Sequence, residues 1–358
     1  MSRLVVRIQP LQYNTMKLLE RLEQLGKVGP RPAGTSADKE GKHLVVSWML
    51  EDGLSVTQDE FGNIIGRIEG KTNETPIVTG SHTDTVATAG KYDGALGVLA
   101  GLEAARILKG QLNHALEVVI FDDEENSMGG SLGYSAVRSP HAFVELHVEQ
   151  GPVLDTQHLD IGIVQGIVGQ RRCHISLFGQ ENHAGTTPMN MRDDALVKAS
   201  SLVTYVNDLA NEMYDGLVAT VGELTVSPNA FSVIPGRVDL TMQVRDLSTD
   251  FMEEFVEKVA KEFDLRVDIA HSSEPALCDS DIMQNIEDVC HDLDLKSTNL
   301  PSRASHDAQC FTKCPMGMIF VPSVGGISHS PDEYTTNEQC INGCKVLIET
   351  IKKMDYNP

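Results

Sequence analysis

The sequence predicts an α/β fold carrying an inserted α+β unit, and three observations predict it. Short, mostly apolar runs at 76–80 and 116–121 read as buried parallel strands. Between them Ala95, Val98, Leu99, Leu102 and Ala105 share one helical face, which makes a βαβ crossover. From about residue 170 to 273 the order changes to strand, helix, two strands, helix and strand, the split-βαβ or ferredoxin-like order.

In chain order, an amphipathic helix is expected near 12–26, ahead of the crossover. In the inserted unit Cys173, Ile175 and Leu177 alternate as a strand, followed by a helix at about 191–212 and strands at about 217–226 and 236–245. A helix at about 249–263 and a strand through Leu265, Val267 and Ile269 complete it, with 272–275 as the return linker. The expected boundaries are 1–169 with 274–358 for the outer domain and 170–273 for the insertion.

Composition narrows the function classes. The 358 residues, 41% apolar, suffice for two domains. With 51 acidic against 29 basic residues and a net charge of −22, the chain would be repelled by phosphate backbones, so nucleic acid is not an expected partner. No run reaches the ~18–20 apolar residues of a membrane span, and the start has no long apolar segment before a small-residue cleavage site. The expectation is an unexported, cytoplasmic protein without a membrane partner. Seven cysteines fit no disulfide framework. The i,i+4 pairs Cys310 with Cys314 and Cys340 with Cys344 could bind zinc in principle, but buried thiols are the expected reading.

The chemistry-bearing residues gather at strand ends. The first strand runs into Gly80-Ser81-His82-Thr83-Asp84, where open α/β sheets bind ligands. On an extended chain His82 and Asp84 share a face, so the Asp84 carboxylate is expected to orient the imidazole. Asp93 precedes the crossover helix, four acids from Asp122 to Glu125 end the next strand, and His147 and His329 follow. Each has an ordinary structural reading: a hydrogen-bonded histidine, an N-cap, a solvated acidic turn. Together they place like charges at the end of apolar strands, and divalent cations would neutralise them. A His and carboxylate set without Cys suits zinc, manganese, cobalt or nickel, and a carboxylate bridging two ions is the arrangement of two-metal hydrolases.

The motifs SHTDTVATAGKYDGALGV, FDDEEN, ELHVEQGPVLD, NHAGTTPMNMRDDAL, SHDAQ and GGISHSPDE extend this reading. As a set they resemble the N-carbamoyl-L-amino acid and allantoate amidohydrolases of the aminoacylase/carboxypeptidase superfamily. The resemblance implies a mixed-sheet two-metal hydrolase domain, with the insertion serving as lid and dimerisation domain of a homodimer. It implies that Asp93 bridges two divalent ions, that His82, His147, Glu125 and His329 complete the ligand set, and that Glu124 is the general base. His183 then steadies the oxyanion across the dimer, while Gln150, His306 and Arg245 contact a small ureido or amide substrate. Ser232 stands where similar enzymes carry an asparagine beside the carboxylate-binding arginine. Between Ser135 and Glu145 those enzymes carry several tens more residues, and only 136–144 remain here. The expected reaction is cleavage of the ureido C–N bond of N-carbamoyl-L-amino acids or related ureido acids. The alternatives are allantoate hydrolysis, or dipeptide or N-acyl amino acid hydrolysis at the same centre. A non-catalytic metal-binding role is disfavoured because it needs no spare base at Glu124.

Overall fold

The two buried strands of the crossover lie in the middle of a mixed sheet. In the computed structural model, which describes residues 15–72, 75–213 and 216–356, the strand Ile77–His82 pairs in parallel with Leu116–Phe121 on one side and Ala142–Val148 on the other. Met316–Val321 extends the parallel set from Ala142–Val148. Ile64–Ile68 and Ile161–Ile167 add antiparallel neighbours, which makes the sheet mixed. Ile77, Val78, Leu116, Val118, Val119 and Ile120 are fully excluded from solvent, each stabilising the fold by roughly 1.5–3 kcal/mol relative to exposure.

The crossover helix, Ala95–Leu108, is buried on more than the single face expected: Leu96, Ala100 and Ala104 are excluded from solvent as well. The reason is a second helical layer, because Met16–Gly26 and Asn337–Tyr356 pack against it from outside the sheet. Met16–Gly26 lies within the amphipathic helix expected near 12–26, whose residues 12–14 fall outside the described residues. Cys340 and Cys344 are buried in this core and Cys310 and Cys314 are partly buried; none joins a metal-holding group among the described residues.

Val168–Ala276 forms a separate compact unit. Its four-stranded antiparallel sheet runs Asp268–Ser273, Gly169–Phe178, Arg237–Asp246, Val218–Ser227. One sheet face, Cys173, Ile175, Leu177, Val238, Leu240, Met242 and Val244, is buried against the helices Ala195–Met213 and Thr249–Glu262. The last strand differs from expectation. Asp264 takes a left-handed φ of 50° and Leu265 N–H closes the preceding helix on Ala260 O, so Leu265 and Val267 pack before the strand begins. A register shift between Ile269 and His271 then carries the strand on to Ser273, into the stretch read as linker.

The close pairing of the first two central strands depends on Gly80. Its φ is 152°, and a Cβ there would lie 2.1 Å from Val119 O. Gly80→Ala must therefore part the strands that end in His82 and in the acids 122–125. The expected outcome is a loss of about 3 kcal/mol in stability, measured by chemical denaturation.

Candidate metal centre

The carboxyl ends of the central parallel strands bring the charged groups together, as open α/β sheets do for ligands. His82 ends its strand, Asp93 lies two residues before the first residue of the crossover helix, with Gly94 between, and Glu124 and Glu125 follow Leu116–Phe121. His147 lies near the end of Ala142–Val148, and Gln150 and His329 come from the loops beyond. All seven, with Ala304, Ser305 and His306, line one cavity of about 150 Å³.

Asp93 is the meeting point. Its Oδ1 lies 3.1 Å from His147 Nε2 and 3.6 Å from His82 Nε2. Its Oδ2 lies 3.3 Å from His329 Nε2 and accepts a hydrogen bond from Gln150 Nε2 at 2.8 Å. Glu125 Oε2 is 3.7 Å from His329 Nε2, and Glu124 Oε2 is 3.6 Å from His82 Nε2. Two sets of ligand atoms meet at Asp93, His82 with Asp93 and His147, and Asp93 with Glu125 and His329; a third group among the described residues, Glu145 with His147 and His306, lacks Asp93 and shares His147 with the first.

Tautomers point the same way. His82 Nδ1 lies 3.0 Å from the main-chain oxygen of Asp84, and His147 Nδ1 lies 2.8 Å from that of Val148. A carbonyl only accepts, so both Nδ1 atoms carry the proton and both Nε2 atoms face Asp93, the orientation that metal-binding histidines take. Burial opposes charge on His147, but the hydrogen bond and charge of Asp93 outweigh it and raise the imidazole to about 9. Burial likewise opposes a charge on Asp93, and hydrogen bonds from His147, His329 and His82 nonetheless hold it well below the usual carboxylate range. Such a carboxylate, ringed by imidazoles that gain protons where no cation is present, is a fitting set for divalent ions. Burial, followed by the Asp93 charge, pushes Glu125 up to about 7, and burial raises Glu124 as well.

Comparison with known proteins agrees with this geometry. Residues 78–353 match the model of peptidase family M20/M25/M40. The chain belongs to that family. It is 36% identical to an N-carbamoyl-L-amino acid amidohydrolase of Geobacillus stearothermophilus, over 94% of this chain and 97% of the relative. It is 33% identical to an allantoate amidohydrolase of Bacillus subtilis, over 86% and 88%. Among solved structures, a hydantoinase/carbamoylase family amidase from Burkholderia multivorans superposes with a TM-score of 0.86 at 31% identity, covering 97% and 99% of the two chains. The M20 family's hydrolases are metal-dependent, in keeping with the ligand sets around Asp93. The alignment with the Geobacillus relative spans 398 positions against 358 residues here, so the relative carries segments that this chain lacks. In this M20 chain, residues 138–141 alone join the helix Gly129–Val137 to the strand Ala142–Val148.

Some expected partners take other places. The Asp84 carboxylate does not orient His82: its Oδ1 is 3.8 Å from Nδ1, farther than the Asp84 carbonyl. The chain turns after the strand, so the carboxylate instead accepts the main-chain N–H groups of Glu124 at 3.4 Å and Glu125 at 3.2 Å. His306 is fully buried, its ring edge-on to His147 at 4.4 Å, and its Nε2 has no partner among the described residues. His183, Ser232 and Arg245 lie in the second unit. His183 Nδ1 accepts from the N–H groups of Gly185 and Thr186, which leaves Nε2 as the donor, and Ala184 N–H donates to Ser232 O beside it. Arg245 is half-buried, with Nε donating to Gln243 Oε1 at 3.1 Å.

Three supporting residues escaped the sequence reading. Glu333 accepts from the N–H groups of Tyr92 and Asp93 at 2.9 and 3.2 Å. Glu145 accepts from Ser81 Oγ and Ala308 N–H, tying two central strands to the segment of His306. Arg31, fully buried, donates to the carbonyls of Thr83 and Gly90 and clasps the loop carrying Asp84. Two of them carried a local signal, Glu333 four residues after His329 in the SHSPDE run and Glu145 two residues before His147 in ELHVEQ; Arg31 carried none.

Gly94 fixes the spacing between Asp93 and His82. It has φ 61°, and a Cβ there would meet His82 Nε2 at 2.5 Å. Gly94→Ala should therefore displace the imidazole and weaken metal binding by at least about tenfold, read by competition with a chromophoric chelator.

Proposed function

We propose that the protein is a two-metal amidohydrolase that cleaves the ureido C–N bond of N-carbamoyl-L-amino acids or related ureido acids. One water is consumed, and ammonia, carbon dioxide and the amino acid are released. The observation that carries the reading is Glu124, a buried carboxylate at the cavity wall beside His82 but outside both ligand sets. A structural metal site needs no such group.

His82, His147, Glu125 and His329 would hold two divalent ions, zinc, manganese, cobalt or nickel, with Asp93 between them. When bound, the ions supply Lewis acidity, polarising the ureido carbonyl and acidifying the attacking water. Glu124 takes the proton of that water and passes it to the leaving nitrogen. Its raised affinity for a proton, caused by burial, suits a group that must both accept and release one. The free Nε2–H of His183 is the right tautomer to donate to a developing oxyanion. Gln150 and His306 position the ureido group, and Arg245 with Ser232 receives the substrate carboxylate, a task that the guanidinium fork suits.

In this reading 1–169 with 274–358 forms the catalytic domain and 170–273 a ferredoxin-like lid that also joins two subunits into a homodimer. Seven free cysteines suit a reducing compartment, which supports a cytoplasmic location; no helix among the described residues is long and apolar enough to cross a membrane.

Activity on N-carbamoyl amino acids should disappear with a chelator and return with manganese, cobalt, nickel or zinc. Glu124→Gln should retain metal, shown by elemental analysis, yet lose turnover by ~10²–10⁴-fold. Loss of metal in that variant would make Glu124 a ligand and remove the base from the scheme.

The dimer proposal has its own test. If His183 acts across subunits, mixing inactive Glu124→Gln and His183→Ala chains should restore part of the activity, because a mixed dimer assembles one intact site. Demonstrated mixed dimers without activity would place His183 outside the partner's site.

A further inference from the structure

The face of the second unit's sheet that its helices do not cover is charged unevenly. Side chains alternate along a strand, so residues directly opposite one another share a face. Gln243 stands opposite Arg172 on one side and Thr220 on the other, and Arg172 in turn stands opposite His271. In the next row Arg245 stands between Gln170 and Val218. Among the described residues these two rows hold two guanidiniums and an imidazole and no carboxylate, in a chain of net charge −22.

The acids of this face begin one row further along and are engaged. Glu223 accepts from Thr241 Oγ1 at 2.7 Å, and Asp268 lies 3.5 Å from Arg266. The Arg172 side chain, by contrast, makes no hydrogen bond or ion pair with any described residue, and it borders an open cavity of about 550 Å³ with His174, Thr220 and Gln243, whose one carboxylate, Glu223, is the one held by Thr241. Diagonal neighbours on adjacent strands lie roughly 7–8 Å apart at the backbone, within the reach of two arginine side chains. Burial, and after it the charge of Arg172, disfavours the protonated form of Arg245, so the two guanidiniums feel each other.

A single carboxylate saturates one guanidinium fork in a bidentate pair. The second cation then has nothing to neutralise it. We infer that Arg172 is a specificity-determining residue: with Arg245 it forms a two-guanidinium cradle for substrates bearing two carboxylates, the N-carbamoyl derivatives of acidic amino acids. The inference rests on the reading above, in which Arg245 takes the substrate's α-carboxylate; Arg172 takes the side-chain carboxylate.

The test compares kcat/KM of the metal-loaded enzyme on N-carbamoyl-L-aspartate and N-carbamoyl-L-glutamate with that on their uncharged isosteres, N-carbamoyl-L-asparagine and N-carbamoyl-L-glutamine. The wild type should prefer the diacids. Arg172→Gln should lower the diacid-to-amide ratio by about tenfold or more, and Arg172→Glu should reverse it. Arg172 is exposed, so both variants should fold as the wild type does, checked by circular dichroism. A ratio that neither variant changes overturns the inference, as does an equal loss on all four compounds, which would mean that both arginines share one carboxylate. In either case the amidohydrolase reading survives. If the wild type hydrolyses none of the four but does hydrolyse N-carbamoyl derivatives of apolar amino acids, the inference alone falls; if it hydrolyses no ureido acid at all, the reading above falls, and the inference with it.

Discussion

The buried carboxylate of Asp93 is the constraint on which the rest of the structure depends. A charge 2% exposed at the end of an apolar sheet is tolerated only if it is fully surrounded by donors or cations. Four side chains from three segments of the chain meet it: His82 and His147 at Oδ1, His329 and Gln150 at Oδ2. Its own N–H is held by Glu333. The parallel strands supply the convergence, because only their carboxyl ends bring His82, the acids after Phe121 and His147 to one point. Backbone strain accompanies it, since Gln150 and His329 both adopt left-handed φ values, 58° and 54°, without being glycine.

Around that point an outer layer of charge sets orientation. Arg31 is the buried cation nearest the loop after His82. All the acceptors of its guanidinium are main-chain carbonyls, those of Leu25, Gly29, Thr83 and Gly90. Its backbone also exchanges hydrogen bonds with Thr85. Burial therefore lowers its affinity for the proton, to about 10, while Asp38, Asp84 and Glu333 oppose that drop from a distance. The clasped loop carries Asp84, whose carboxylate anchors the main chain of Glu124 and Glu125. A residue far from the acids in sequence thus reaches them through one loop.

Local pattern made the central strands, the crossover helix and the two-helix face of the second unit legible, because each depends on periodic burial of side chains near in sequence. The ligand candidates were legible from motifs at strand ends. What the pattern could not carry was long-range or conformational. The two-residue spacing of His82 and Asp84 presumes an extended chain, and the chain turns there, so a carbonyl took the role assigned to the carboxylate. Arg31 is 53 positions from Asp84, and its function lies in main-chain acceptors that leave no trace in composition. The strand expected through Leu265 began three residues later because a left-handed turn at Asp264 closes the helix first.

The four consecutive acids show how neighbouring residues acquire different tasks. A strand would point them alternately to two faces, and a helix would spread them around an axis; neither places two adjacent carboxylates in one cavity. Here the strand stops at Phe121 and Asp123 takes a left-handed φ of 58°. Asp122 turns to the ammonium of Lys42, and Asp123 accepts from Asn126 and Ser127, so both are occupied in holding the turn. The Asp84 carboxylate fixes the next two N–H groups, and Glu124 and Glu125 both enter the cavity, one toward His82 and the other toward His329. A carboxylate with both oxygens committed to cations is a poor base. Separating the two directions within one peptide unit is what lets adjacent glutamates differ, Glu125 standing with Asp93 and His329 and Glu124 standing apart beside His82, as the proposed division between ligand and base requires.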